Sequence, residues 1–327
     1  MADKPEESSL HWSRHNEAAG YFTIQFLLFL FRCFPVIVLR VLAFPVGFFY
    51  FIFSKRGRTE STRFLRTIAP LIDDPQLARK CNSRFGPLRH IISFSLNLVE
   101  KIQSWSGKFP FKNVHFLDDD IGELTRSLQN GQGAFLVFSH LGNAELLQGF
   151  LNMGQTGVPK SIPIAAIYDI KVTAHFESLR KVLSPQSNLD IISADEIGSH
   201  TAILLEEKIA AGGLVLVAGD RTSVEGKKSI IPFLGKNAPF SSGIFYLAAL
   251  LKAPVYFVFG LRCRDLSLRP EYTMYVHKSP LSFDCPRKER FQRCSLLTES
   301  FTKLLEKYCK EHPFQWYNFF DFWQEGA

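Results

Sequence analysis

The sequence predicts an α/β protein: a mostly parallel, twisted sheet flanked by helices, with a membrane-associated helical segment at the amino terminus. Short apolar runs alternate with amphipathic stretches from about residue 110 onwards, which favours a sheet covered by helices. Apolar residues crowd into residues 21–53, and no repeat or long linker divides the rest of the chain. We therefore expect a membrane-associated segment with a basic patch over residues 1–66 and one catalytic domain over residues 67–327.

The composition excludes several classes of protein. The chain has 327 residues, of which 46% are hydrophobic and 21% charged, so it is neither disordered nor collagen-like nor a coiled coil. A net charge of +7 beside 32 Phe favours an anionic membrane surface or an acidic partner over nucleic acid, and no nucleic-acid motif is present. The cysteines show no C-x-x-C spacing, which predicts reduced thiols and a cytoplasmic active site.

The amino-terminal segment is apolar enough for a membrane. Residues 21–53 contain 10 of the 32 Phe and only two charged residues, Arg32 and Arg40. The two longest charge-free runs have 14 residues each, fewer than the roughly 18 that a spanning helix needs. Pro35 and Pro45 interrupt the apolar segment further. We expect a helix that lies in or dips into one leaflet while its arginines reach lipid phosphates. A single spanning helix and a pair of buried core helices remain alternatives.

A basic run follows at residues 54–66, where five cations oppose the single acidic residue Glu60. The cations are Lys55, Arg56, Arg58, Arg63 and Arg66. Such a run beside an apolar segment indicates a cytoplasmic surface that faces headgroups. An ordinary solvated helix start explains it equally well.

The remaining sequence predicts the elements of the sheet. The predicted strands are Asn113–Leu117, Gly133–Phe138, Ile162–Ile167, Leu189–Ile192, Leu214–Ala218, Val255–Leu261 and Tyr272–Val276. The predicted helices between them include Ile121–Gln129, Ala144–Met153, Thr173–Leu183, Ile197–Ala211 and Gly243–Leu251.

Familiar catalytic signatures are missing from the sequence. It contains no G-x-S-x-G, no G-x-x-x-x-G-K-[ST] and no G-x-G-x-x-G, which disfavours an α/β-hydrolase, a P-loop enzyme and a dinucleotide enzyme. A histidine followed five positions later by a carboxylate occurs twice, as His140–Glu145 and His115–Asp120. Chance alone predicts about one such pair. His115 lies inside a predicted strand, and Asp120 belongs to an acidic cluster that a helix cap explains.

His140 has a more informative context because it follows a buried strand, at the edge where α/β sheets place ligands. Gly142 permits a tight bend, and Asn143 can cap the next helix. Glu145 in the first helical turn could then reach back to one ring nitrogen, leaving the other to take a proton from a substrate hydroxyl. A structural histidine beside a carboxylate remains the alternative.

A second candidate cluster lies in the loop of residues 219–243. Asp220 and Arg221 follow an apolar strand, so their charges also emerge at a carboxyl end. Arg221 offers a rigid fork of donors to a phosphate or an oxyanion, and Gly226 and Gly235 allow close backbone approach. The alternative is an ion pair that only closes the strand edge.

Together, F-S-H-L-G-N-A-E and G-D-R-T-S…I-P-F-L-G-x-x-A-P-F-S-S-G resemble the lysophospholipid acyltransferase superfamily, in particular its lipid A late (lauroyl and myristoyl) acyltransferase branch. The apolar amino-terminal segment with its basic helix, and the closing H-P-F-Q-W-Y-N-F-F-D-F-W of residues 312–323, are similar to the same branch. The resemblance runs through most of the chain.

The resemblance implies transfer of a fatty acyl group from acyl carrier protein to a hydroxyl of a membrane lipid or glycolipid, at the cytoplasmic face of a bacterial inner membrane. It implies His140 as general base, Glu145 as its orienting carboxylate and no acyl-enzyme. Backbone N–H groups near Gly142, and Arg221, are expected to stabilise the oxyanion while Asp220 holds the loop. It calls for no metal, nucleotide or other cofactor.

Two other functions remain open: a lipid esterase or thioesterase that uses water at the same site, and a non-catalytic basic membrane-binding protein.

Overall fold

The described strands form a seven-stranded mixed sheet with a separate two-stranded hairpin beside it. The computed structural model describes residues 29–117, 120–147, 162–168, 180–183, 189–194, 197–221 and 228–323. The strands are β1 (Val114–Phe116), β2 (Ala134–Phe138), β3 (Ile164–Tyr168), β4 (Leu189–Ser193), β5 (Leu214–Ala218), β6 (Lys228–Phe233), β7 (Lys236–Ser241), β8 (Val255–Arg262) and β9 (Tyr272–Lys278). The order in the large sheet is β1-β9-β8-β2-β5-β3-β4, and β6 pairs with β7.

Helices cover both faces of the sheet. They include α1 (Val36–Phe53), α2 (Lys55–Ile68), α3 (Pro75–Asn82), α4 (Gly86–Trp105), α5 (Asp120–Gln129), α6 (Ser199–Ala210), α7 (Ser242–Leu251) and α8 (Arg287–Glu311). The predicted fold class is therefore confirmed. The predicted boundary at residue 66 falls inside α2, whose Phe64 and Leu65 are buried in the core beneath the sheet.

The centre of the sheet is apolar on both faces. Strands β2 and β8 are buried along their whole length and β5 along nearly all of it, as expected for parallel strands with helices on both sides. One core lies between the sheet and the helices α2, α6, α7 and α8. The other lies on the opposite face, beneath α5. All seven predicted strands are present, whereas the β6–β7 hairpin was not predicted.

The strand β9 runs antiparallel to β8, while the other pairings in the large sheet are parallel. The connection from β8 to β9 is too short for the crossover that a parallel pair requires, so the chain turns back directly.

The amino-terminal apolar segment forms the long helix α1, which packs along α4. One side of α1 contacts the protein through residues such as Leu39 and Ala43, and the other side exposes large apolar side chains, among them Val46 and Phe49. By length and composition α1 could cross a membrane, although a core helix or a signal sequence passes the same test. It is about 27 Å long, close to the roughly 30 Å hydrocarbon core of a bilayer.

One expectation for this helix is wrong. Arg40 does not point outward towards phosphates, because its side chain is buried and its guanidinium donates to Gln103 and to the carbonyl of Leu268. A buried guanidinium needs acceptors, and the protein supplies one for each of its two terminal nitrogens. Pro45 lies inside the helix, which continues through it to Phe53.

Candidate active site

Two neighbouring parallel strands place the candidate residues side by side. Strands β2 and β5 pair in register, with Phe138 opposite Ala218 at their carboxyl ends. The residues that follow each strand therefore emerge together, which brings His140 to Asp220 although 80 positions separate them. The sequence placed both residues correctly at strand ends.

The His140 ring is held by a buried carboxylate. Its Nδ1 lies 2.8 Å from Oδ1 of Asp220, and its backbone N–H donates to Oδ2 of the same carboxylate at 2.8 Å. Because the carboxylate only accepts, Nδ1 carries the proton and Nε2 carries a lone pair. The Asp220 side chain is fully buried, whereas 27% of the His140 side chain remains exposed. This arrangement matches a general base with an orienting acid.

The predicted contact between Glu145 and His140 is wrong. The Oε1 atom of Glu145 accepts a hydrogen bond from Lys101 of α4 at 2.9 Å, and Asp220 takes the position on the ring that Glu145 was expected to occupy. The helix that begins near Glu145 directs this carboxylate towards α4. Glu145 is therefore bound to Lys101, which lines the cavity beside His140.

The carboxyl-terminal segment of residues 312–323 contacts both His140 and Asp220. The indole of Trp316 donates to Oδ2 of Asp220 at 2.9 Å, and the N–H of Tyr317 donates to the carbonyl of His140 at 3.1 Å. Trp316 is buried among aromatic rings, including Phe64 and Phe233. A buried indole requires such an acceptor, so the tryptophan and the carboxylate satisfy each other.

The backbone around Gly142 is closely packed, and its N–H groups form hydrogen bonds within the protein. Gly142 has a φ of 75°, and a Cβ there would collide with the carbonyl oxygen of Gly260. Its N–H donates to the carbonyl of Gln315 at 2.9 Å, and the N–H of Asn143 donates to Gly260 at 2.8 Å. These donors are already used, so the expectation that they stabilise an oxyanion is wrong. The Asn143 side chain is fully buried and has no hydrogen-bond partner in the described part of the chain, so the expected cap is not seen.

The electrostatics keep the base neutral and the acid charged. Burial and the nearby Arg221 charge lower the pKa of His140 below its ordinary value, despite the opposing effect of Asp220. Burial alone would raise the pKa of Asp220, but the attraction of His140 and the hydrogen bonds from His140 and Trp316 outweigh it, so this pKa is lowered. At neutral pH the pair is therefore an imidazole beside a carboxylate.

The ring of His140 opens onto a cavity of about 320 Å³. The lining residues include three cations, Arg56, Lys101 and Arg221. The others are Tyr50, Phe94, Asn97, Tyr317, Phe319 and Phe320. Arg221 donates to Asn318 at 3.3 Å and lies over the ring of Phe320. The cavity thus combines a base, positive charge and aromatic surface, which suits an acyl substrate whose carbonyl oxygen becomes negative.

A buried network on α4 fixes the position of Lys101. Glu100, the preceding residue, is fully buried and accepts hydrogen bonds from Arg262 and Tyr272. These partners lie on β8 and β9, so the network ties α4 to the sheet. A buried carboxylate that is paired in this way holds its helix in place.

Sequence reasoning missed Lys101 and Trp316, because neither belongs to a motif near His140. The one available signal for Trp316 was its place in the aromatic run at residues 312–323. Of the other predicted residues, Gly226 lies outside the described residues, and His115 is exposed on the edge strand β1.

A family model for bacterial lipid A biosynthesis acyltransferases matches residues 9–325, nearly the whole chain. The chain belongs to this family. The resemblance to the late acyltransferase branch is thereby confirmed, and the lipid A acyltransferase family supports acyltransferase activity in lipid biosynthesis, with lipid substrates and an association with membranes. Among curated proteins, none matches the chain.

Proposed function

We propose that this lipid A acyltransferase family member transfers a fatty acyl group from acyl carrier protein to a hydroxyl of a lipid or glycolipid, at the cytoplasmic face of a bacterial inner membrane. The observation that carries the proposal is the His140 ring, bound through Nδ1 to Asp220 and open to a cationic cavity. Such a ring can take a proton from a substrate hydroxyl.

The reaction needs no covalent enzyme intermediate. The acceptor hydroxyl gives its proton to Nε2 of His140 while its oxygen attacks the thioester carbonyl. The tetrahedral oxyanion forms beside Lys101 and Arg221, whose charges stabilise it. Collapse of this intermediate expels the donor's thiol sulfur, which receives the proton from the imidazolium. The products are the acylated lipid and the free thiol of the carrier.

Two carboxylates have separate roles in this proposal. Asp220 fixes the His140 tautomer and stabilises the imidazolium, as the acid of a catalytic triad does. Glu145 holds the Lys101 ammonium at the edge of the cavity. Our sequence prediction that Glu145 belongs to the machinery is thus retained, with a different partner.

An acidic carrier protein as donor is supported by the net charge of +7. Attraction between exposed charges weakens as salt shortens the Debye length to about 8 Å at physiological ionic strength. We therefore expect added salt to raise KM for an acyl carrier protein thioester more than KM for the smaller acyl-coenzyme A. An equal response of the two donors would remove this support.

The deciding experiment incubates the purified protein in detergent with an acyl carrier protein thioester, with and without a bacterial membrane lipid extract. Mass spectrometry should find lipids heavier by one fatty acid less one water, and little free fatty acid. Release of fatty acid at the same rate with or without lipid would instead assign the site to an esterase or thioesterase. The absence of both products would favour a non-catalytic membrane-binding protein.

A further inference from the structure

A second and larger cavity, of about 890 Å³, lies on the amino-terminal side of the protein and shares no lining residue with the His140 cavity. It is bounded by α2, the end of α1, the start of α4 and the turn between β6 and β7. Five cations line it: Arg58, Arg63, Arg66, Arg84 and Lys236. No acidic residue is among the described residues that line it. We refer to it as the basic cavity.

The cations of the basic cavity are only partly neutralised. Arg63 pairs with Glu60 and Asp321, and Arg58 donates to the last carbonyls of α1. Arg66 and Arg84 are exposed and have no ion-pair or hydrogen-bond partner within the described ranges. The cavity therefore has an excess of positive charge that an anion could neutralise.

Hydroxyl groups add neutral donors to this charge. Thr59, Thr62 and Thr67 line the same cavity, and Lys236 donates to the hydroxyl of Thr67 at 3.2 Å. Guanidinium forks and hydroxyls are the groups that bind phosphate oxygens, because they supply several charge-assisted hydrogen bonds at once. The chemistry of the lining therefore fits a phosphate group.

The location of the basic cavity indicates the source of that phosphate. Phe51 of α1 lines the cavity, and Phe53, the last residue of α1, is 81% exposed. If the exposed apolar side of α1 is embedded in lipid, its carboxyl end and the adjoining cavity lie at the level of the headgroups. Lipid phosphates are then the anions that lie nearest to this arginine cluster.

We propose that the basic cavity binds the phosphate of an anionic membrane lipid headgroup, at a site separate from the catalytic cavity. This inference rests on the membrane association in the proposed function but not on the chemistry at His140. It also assigns different roles to neighbouring arginines of α2, because Arg56 lines the catalytic cavity whereas Arg58, Arg63 and Arg66 line the basic one.

The test is calorimetric titration of the purified full-length protein in a neutral detergent. The titrants are dihexanoyl phosphatidylglycerol, dihexanoyl phosphatidylcholine and inorganic phosphate. The double variant Arg66→Ala/Arg84→Ala removes two cavity cations that make no side-chain hydrogen bond or ion pair with the residues that the structure describes. The matched control Arg79→Ala/Lys80→Ala removes two exposed cations of α3 that do not line the cavity. His140→Ala separates this site from the catalytic one.

We expect phosphatidylglycerol to bind the wild type, the control and His140→Ala equally. It should bind Arg66→Ala/Arg84→Ala about tenfold or more weakly, since charge-assisted hydrogen bonds are lost. Phosphatidylcholine, which has no net charge, should bind more weakly than phosphatidylglycerol in every protein except the cavity variant.

Several results would overturn the proposal. Equal losses in both double variants would mean that diffuse charge is responsible, and loss in His140→Ala would place the lipid in the catalytic cavity. Inorganic phosphate that binds as tightly as the lipid would assign the cavity to free phosphate. Displacement of the lipid by an acyl carrier protein would assign it to the donor. Absence of lipid binding together with normal acyl transfer would remove this site and leave the proposed function intact.

Discussion

Two histidines contact the carboxyl-terminal segment around Trp316, and the structure holds them in different ways. His90 of α4 is fully buried, with Nδ1 3.0 Å from the hydroxyl of Ser61 and Nε2 3.0 Å from the carbonyl of Trp316. His140 has Asp220 on Nδ1, and its ring lines an open cavity. Both rings depend on the segment that contains Trp316.

The hydrogen-bond partners of the two rings distinguish a histidine that only stabilises the fold from one that can transfer a proton. At His90 the carbonyl must accept, so Nε2 carries the proton and Nδ1 accepts from Ser61; both nitrogens are used. Burial lowers the pKa of His90 to about 4, so this ring stays neutral without any function in proton transfer. At His140 a carboxylate holds one nitrogen and the other faces the cavity, which is the arrangement that a general base requires.

The largest expected effect follows from removing the imidazole that faces the cavity. His140→Ala should lower the turnover of acyl transfer by roughly 10²–10⁴-fold, the usual contribution of a general base. Since His115 is exposed on an edge strand, His115→Ala is the matched control and should leave turnover unchanged. Comparable losses in both variants would contradict the choice of His140.

The next effect compares the two carboxylates. Asp220→Asn should lower turnover by about 10²-fold or more, because the amide no longer favours the tautomer with a free Nε2. Glu145→Gln should cost less than about tenfold, since a neutral amide can still accept from Lys101. Steady-state rates of the two variants decide this point, and a larger loss at Glu145 would restore the pairing that the sequence suggested.

His90 should affect stability and its dependence on pH, not turnover. Between pH 6.5 and about 4 the unfolded chain binds a proton that the folded protein excludes, so the free energy of unfolding falls as pH falls. The full contribution is about 3 kcal/mol from the shift in pKa. Urea unfolding should show this loss in the wild type and not in His90→Gln. If the free energy of unfolding had the same pH dependence in both proteins, the assignment of this loss to His90 would be wrong.

The smallest effect concerns the pH profile. Because Arg221 lowers the pKa of His140, Arg221→Gln should raise that pKa and move the acid limb of kcat/KM to higher pH. The base must be neutral to act, so activity is lost as pH falls through this pKa. The position of the limb is measured separately from any overall loss of rate. A limb that stays in place would mean that another group titrates there.

The sequence predicted the elements of the site better than its contacts. Apolar runs predicted β2 and β5, and the position of His140 and Asp220 after them placed both at one sheet edge. The pairing of the two depends on which strands are neighbours, and sheet order cannot be read from local pattern. Glu145, the carboxylate nearer in sequence, was therefore chosen from its place in the first turn of the following helix and from the family resemblance.

Long-range contacts also explain the remaining errors. The N–H of Gly142 is taken by the carbonyl of Gln315, more than 170 positions away, so its availability could not be judged locally. Arg40 turns inward because Gln103 and Leu268 supply acceptors that the apolar segment itself lacks. Lys101 enters the site through a helix that the Glu100 network anchors to distant strands.

The central claim is that a neutral His140, with one open nitrogen, takes the acceptor proton. Diethyl pyrocarbonate reacts with such a nitrogen, and peptide mass spectrometry reads each histidine separately. We predict that acyl transfer is lost in proportion to the fraction of His140 that is modified. Acceptor lipid should slow the modification of His140, and His90 should stay unmodified. Full activity after His140 is completely modified, or loss of activity while it remains intact, would contradict the account.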